Sequence, residues 1–110
     1  MPRLHDDGAR VRLDLHGLTV DAALDVAEAT VEAAIEAGRA SVALIHGSST
    51  SDPLQRNRTI KHALEAFFTA EDWPEVNGRL HQDDVLTLDL GVTRTPRANR
   101  LSLPDVFPAT

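Results

Sequence analysis

Apolar and polar positions change their spacing several times along the chain, and each change marks an element. Val11, Leu13 and Leu15 alternate with Arg12, Asp14 and His16, the two-residue repeat of a strand with one face in a core. Gly17 breaks the alternation, and Thr19 stands where a helix cap belongs, with Asp21 in the following turn. Over residues 20–37 the repeat is helical: Val20, Leu24, Ala27, Val31 and Ile35 make an apolar stripe, while Asp21, Asp25, Glu28, Glu32 and Glu36 make an acidic one. Gly38 ends that helix. Residues 41–45 are mostly apolar, as in a strand flanked by others. A strand, a helix of this length and a second strand form a right-handed parallel βαβ unit.

Asp52, Pro53 and Gln55 have the form of a helix start, and Asn57 offers an alternative one; the spacing does not choose between them. In either case Ile60, Ala63, Leu64, Phe67 and Phe68 make the apolar face of a second helix, which stops before Trp73-Pro74. Residues 76–82 read as a weak strand disturbed by Asn77-Gly78, and residues 85–90 as a clear one, with Asp83-Asp84 turning between them. The order β-α-β-α-β-β predicts an α/β fold, a two-layer sandwich with a four-stranded mixed sheet. Residues 11–91 form the domain. Residues 1–10 are expected as a flexible arm, and 92–110 as a tail with three prolines and three arginines. Leu101, Leu103, Val106 and Phe107 predict that part of this tail packs onto the domain.

With 110 residues and 42% apolar content, the chain has material for one core. The absence of cysteine excludes disulfides, a thiolate metal site and a thiol nucleophile. No signal-like segment opens the chain and none is long and apolar enough for a membrane span, so a cytoplasmic protein is expected. The net charge of −6 argues against indiscriminate coating of nucleic acid, but it is unevenly spread. Residues 19–38 carry −5, whereas residues 39–62 carry +3 from Arg39, Arg56, Arg58 and Lys61 against Asp52. A basic surface is therefore expected beside His46.

His16-Gly17 and His46-Gly47 end the first two strands alike, and parallel strands bring those ends to one edge, where open α/β sheets bind ligands. Gly17 and Gly47 permit close approach of a phosphate, helix N-termini follow both turns, and Ser48, Ser49 and Thr50 add hydroxyl donors. Asp14 beside His16 suits general acid–base work, and His46 completes the candidate catalytic set. Arg56, Arg58 and Lys61 are the candidate phosphate neutralisers. His5, His62 and His81 read as surface residues. No serine sits in a nucleophile elbow. Metal ligation by Asp14, His16 and His46 is the competing chemistry, unsupported by an HxH or HExxH spacing; no residue is assigned as a ligand, and a divalent cation such as magnesium stays open as cofactor.

LDLHGLTVDAAL, residues 13–24, closely resembles the opening motif of the Smr (small MutS-related) domain. The family's second signature, HGxG, is represented by His46-Gly47-Ser48-Ser49, in which the lysine and final glycine of the common HGKG form are replaced. The resemblance covers about residues 11–91. It implies a fold similar to the C-terminal domain of translation initiation factor 3 and endonuclease or nicking activity on DNA or RNA. It also implies functional roles for Asp14, His16, Gly17, His46 and Gly47. Met1 so close to the domain fits a stand-alone member. The altered second motif and Asp83-Asp84 keep a second function open, a nucleic-acid or ribonucleoprotein binding module without turnover. A third is an interaction module that meets a protein partner through the acidic helix or the C-terminal tail.

Overall fold

The structure, a computed structural model, describes residues 3–15, 17–47, 56–69, 72–82, 84–91, 96 and 98–106, the side chains of 56–58 and 105 excepted. The strands β1 (Arg3–Asp6), β2 (Arg10–Asp14), β3 (Ser41–Ile45), β4 (Val76–His81) and β5 (Val85–Leu90) form one sheet in the order β1-β2-β3-β5-β4. The helices are α1 (Val20–Glu36), α2 (Arg56–Phe67) and the single turn α3 (Leu103–Val106). β2 and β3 are parallel and joined through α1, as expected, and every other pairing is antiparallel.

The sheet has five strands where four were expected. The fifth comes from the segment read as an arm: β1 pairs along β2 from Arg3↔Asp14 to Asp6↔Val11. The hairpin turns at Asp7-Gly8-Ala9, where Gly8 holds φ 99° and the Asp7 carboxylate accepts the N–H groups of Ala9 and Arg10 at 2.9 and 2.7 Å. Glycine is suited to that left-handed backbone.

α1 is built as its sequence predicts. Thr19 Oγ1 accepts the Ala22 N–H at 3.2 Å. At the other end Gly38, at φ 70°, donates to Ile35 O and Arg39 donates to Ala34 O, the paired bonds of a Schellman cap. The buried face is shifted from the predicted stripe. Ala23, Val26, Ala27, Thr30, Val31 and Ala34 are buried, while Val20, Leu24 and Ile35 flank them. The alanines let the helix lie close to the strands.

Both helices contribute to one core with a single face of the sheet. Val11, Leu13 and Leu15, Val42 and Leu44, and Leu86, Leu88 and Leu90 meet Ala27 and Val31 of α1 and Ile60 and Leu64 of α2. Register keeps that face continuous, with Leu13↔Leu44 and Leu44↔Leu86 in one row. The opposite face carries Arg12, Ala43 and Thr87 in the next row.

The C-terminal segment is fastened through a buried ion pair. Arg39 is 1% exposed and its Nε lies 2.9 Å from Asp6 Oδ1, while Nη2 donates to Asp6 Oδ2 at 3.0 Å and to Asn99 O at 2.9 Å. Nη1 donates to Ala37 O at 3.0 Å. Asp6 also accepts the Gly8 and Leu101 N–H groups, each at 2.8 Å. Val106 is buried beyond this junction, in keeping with the packing expected of the tail; Phe107 lies outside the described residues. Arg39 therefore adds nothing to the basic surface expected over residues 39–62.

This junction sets an acid limit on stability. Burial pushes the Asp6 carboxyl up, but the bonds from Arg39, Leu101 and Gly8 together hold it below its ordinary value of 3.8. A carboxyl held low in the folded state binds fewer protons there than in the unfolded chain, so its contribution is complete above the unfolded value and is lost as pH falls through the folded one. Unfolding free energy measured by denaturant titration should be flat in this respect above pH 5 and decline below pH ~4. In Asp6→Asn that part of the acid decline should be missing; an unchanged decline would remove Asp6 from the account.

Candidate functional site

The parallel strands bring their C-terminal ends to one edge. Asp14 pairs with Ile45, and the Leu15 N–H extends the ladder by donating to Ile45 O at 2.7 Å. Both chains then turn on left-handed glycines, Gly17 at φ 89° and Gly47 at φ 90°. A side chain at either position would strain that backbone. Leu18 N–H closes the first turn on Leu15 O at 3.1 Å, and α1 starts two residues later, its N-terminus facing this edge. The second turn is tied to the β4–β5 connection. The His46 and Gly47 N–H groups both donate to Asp84 O, at 3.0 and 3.1 Å.

The two conspicuous side chains at this edge nevertheless belong to opposite faces of the sheet. Asp14 follows Arg12 on the helix-free face and is partly buried. Register sets Arg3 beside Asp14 and His5 beside Arg12. Arg3, His5, Arg12, Asp14 and Ile45 line a shallow depression of about 400 Å³ there. Arg10 continues the row and its Nε donates to Ser41 Oγ at 3.1 Å. The arginine stems help to cover β3, whose Ala43 is 5% exposed although no helix among the described residues lies over it.

His46 instead continues the inward positions Val42 and Leu44 and is completely buried. Its Nδ1 lies 2.9 Å from Gly47 O, and its Nε2 lies 3.2 Å from Nε2 of His81. The rings meet edge to face at a centroid distance of 5.3 Å. His81 Nδ1 in turn lies 2.8 Å from Glu65 Oε1. Burial lowers the His81 pKa below its ordinary value; Glu65 opposes that shift, while His46, Lys61 and His62 add to it. The reading of His81 as a surface residue is thus corrected: the pairing His81↔Leu86 turns it to the helix side. His5 and His62 are exposed, as expected.

The structure brings Asp14, Gly17, His46 and Gly47 to one edge, with Asp14 and His46 on its two sides. Lys61 lies on α2, near enough to influence His81, and so belongs to the helix side rather than to Asp14. Arg56 and Arg58 fall in the first turn of α2, and their side chains lie outside the described residues, as do His16, Ser48, Ser49 and Thr50. Sequence reasoning missed Arg3, Arg10, Arg12, Glu65 and His81. Arg10 and Arg12 were legible, since they share the parity of Asp14; Arg3 needed the β1 hairpin, for which Asp7-Gly8 was the signal. Glu65 and His81 carry no local signal because they meet across elements. Among the described residues no group of three or more His, Asp or Glu is placed to hold a metal ion. No helix among them is long and apolar enough to cross a membrane.

Charge is polarised between the two layers. On the helix side, Glu28, Glu32 and Glu36 of α1 face Asp72 and Glu75 across a groove of about 620 Å³ floored by Ile35, Phe67 and Trp73. The helix-free face instead presents Arg3, Arg10 and Arg12, with Asp14 beside Arg3, Asp89 across Ser41 from Arg10, and Asp84 lining a depression with Arg10 and Arg12. A polyanion is repelled by the first surface, whereas on the second the arginines offer it local contacts among the carboxylates.

Comparison with known families returns the Smr domain, matched over residues 13–83, more than half of the chain. No curated protein and no solved structure matches the chain. The match spans the edge described above, from Leu13 at the end of β2 to the turn before β5. The chain belongs to the Smr domain family.

Proposed function

We propose that this member of the Smr domain family binds nucleic acid across the helix-free face of its sheet and cleaves a phosphodiester bond at the edge marked by Asp14. The observation that carries the reading is the row of Arg3, Arg12 and Arg10 leading to a carboxylate beside two left-handed glycine turns. Arginines hold and position phosphates without selecting sequence, which fits a phosphate path rather than base readout. At its end Asp14, with His16 from the same motif, takes the proton of an attacking water while the new P–O bond forms. The old P–O bond breaks, and the leaving oxygen acquires a proton. Gly17 and the N-terminus of α1 supply N–H groups toward the phosphate, and Gly47, whose own N–H is held by Asp84 O, lets it approach the backbone closely. Ser48, Ser49 and Thr50, with Arg56 and Arg58, extend that contact in this proposal. A divalent cation such as magnesium is the cofactor to test.

A second reading, binding without turnover, draws on the exposed carboxylate of Asp84 beside the Gly47 turn, a like charge close to any phosphate there. One gel assay separates the two: single-stranded, duplex and branched DNA and RNA at low salt, with magnesium, manganese or chelator. Products support the nuclease, whereas shifted bands without products support the binding module.

The triple variant Arg3→Ala/Arg10→Ala/Arg12→Ala tests the surface itself. Each phosphate contact contributes roughly 0.7–0.9 to the slope of log affinity against log salt, so the slope should fall by about 2–3. Unchanged affinity and slope in that variant would place the nucleic acid elsewhere or remove it altogether.

A further inference from the structure

Glu65, His81 and His46 form a continuous line of three short polar contacts, of which only His46 belongs to the catalytic set expected from the sequence. Glu65 Oε1 to His81 Nδ1 is 2.8 Å, His81 Nε2 to His46 Nε2 is 3.2 Å, and His46 Nδ1 to Gly47 O is 2.9 Å. The line begins at a half-exposed carboxylate and ends on a backbone carbonyl behind a fully buried ring.

Counting protons along this line gives a definite result. Each of the three contacts is a hydrogen bond only if one proton lies in it. Two neutral imidazoles supply two N–H groups, and both terminal groups, a carboxylate and a carbonyl, are acceptors. With two protons, one contact must therefore bring two lone pairs together. Either His81 Nδ1 faces the Glu65 carboxylate without a proton, or the two Nε2 atoms face each other unbridged, or His46 drops Gly47 O. A third proton completes all three bonds wherever it rests, and it leaves Glu65, His81 and His46 with a combined charge of zero.

We propose that Glu65 and His81 are positioning residues of the candidate site, sharing one additional proton with His46 and thereby holding all three bonds at once, the one to the Gly47 carbonyl included, behind the second His-Gly turn. The consequence for phosphate handling rests on the proposed function; the hydrogen-bonded line itself does not. Among the described contacts, the Gly47 N–H shares the Asp84 carbonyl with that of His46, and the ring bond holds the carbonyl side of the same residue. The charged surroundings decide when the proton is held. Lys61 and His62 on α2 oppose it and Glu65 on α2 favours it; His46 faces His81 from β3, and Arg79 lies beside it on β4. With burial added, the His81 proton leaves below the ordinary histidine value, so the line is complete in mild acid and is one bond short toward neutrality.

The test is a pH titration of the imidazole nitrogens by NMR, in wild type, Glu65→Gln and His81→Gln. Glutamine at position 65 still accepts from His81 Nδ1–H but removes the charge, and the half-exposed site tolerates it. In wild type the His46 and His81 signals should move together through shared macroscopic midpoints. Glu65→Gln should move the first of these down by about one pH unit, the size expected for losing an opposite charge at this distance. His81→Gln should leave His46 without the shared step, with Trp73 fluorescence confirming the fold. Independent titration of the two rings, indifferent to Glu65→Gln, overturns the proposal. Stoichiometric uptake of zinc between the two Nε2 atoms in place of the proton overturns it as well. Cleavage assays on the same samples keep the readings apart. Coupled titration without cleavage leaves the hydrogen-bonded line standing and removes the nuclease; cleavage with uncoupled rings does the reverse.

Discussion

Arg39→Ala should cost about 3–5 kcal/mol of unfolding free energy, because it leaves the Asp6 carboxylate buried with its main partner gone. Single domains are stable by about 5–15 kcal/mol, so a loss of this size removes a large part of the total. The lone tryptophan, Trp73, is 8% exposed and reports unfolding in a denaturant titration. The guanidinium bonds Asp6 of β1, Ala37 at the end of α1 and Asn99 ahead of α3. Removing it loosens three chain segments that are far apart in sequence. Arg39→Lys should recover little, since one ammonium cannot reproduce the forked bonds to Asp6 and Asn99. Replacing both partners with apolar residues, Asp6→Leu/Arg39→Met, should be far milder than either polar truncation. A loss under about 1 kcal/mol in Arg39→Ala would mean that water reaches the pair, as at surface ion pairs.

That junction also shows where the sequence stops being informative. Arg39 follows a helix-ending glycine and looks like any surface arginine; its partner lies 33 residues earlier in a hairpin of modest pattern. β1 has one apolar residue, Leu4, so alternation could not announce it, and the Asp7-Gly8 turn was the sole signal. α1 and its caps, β2 and β5 were legible because one strongly periodic face and defined end residues coincide in each. β3 was legible as a strand but not as to its faces. Residues 41–44 are all buried, because neighbouring side chains cover the side that no helix reaches. Without alternation there was nothing to show that His46 points inward while Asp14 points outward. Two histidines before glycine suggested one convergent site. The fold makes one edge with two sides, an open side that carries Asp14 and a closed side, with His46, behind the Gly47 turn.

Asp14→Ala should lower cleavage by about 10²–10⁴-fold, the range typical of losing a general acid–base group. The position supports a clean test. Asp14 is partly buried on the helix-free face, outside the hydrophobic core, so its removal should change unfolding free energy by no more than about 1 kcal/mol. Nucleic-acid affinity should be kept or slightly raised, since a carboxylate among Arg3 and Arg12 repels the phosphate it works on. Loss of turnover with retained binding is the combination that distinguishes a chemical role from a binding one. Asp14→Asn sharpens the point: it keeps the shape and a hydrogen-bonding oxygen but cannot accept a proton, so it should be nearly as inactive as alanine. Full activity in either variant would remove Asp14 from the chemistry. Equal loss of binding and turnover would instead make it part of the surface that holds the strand in register.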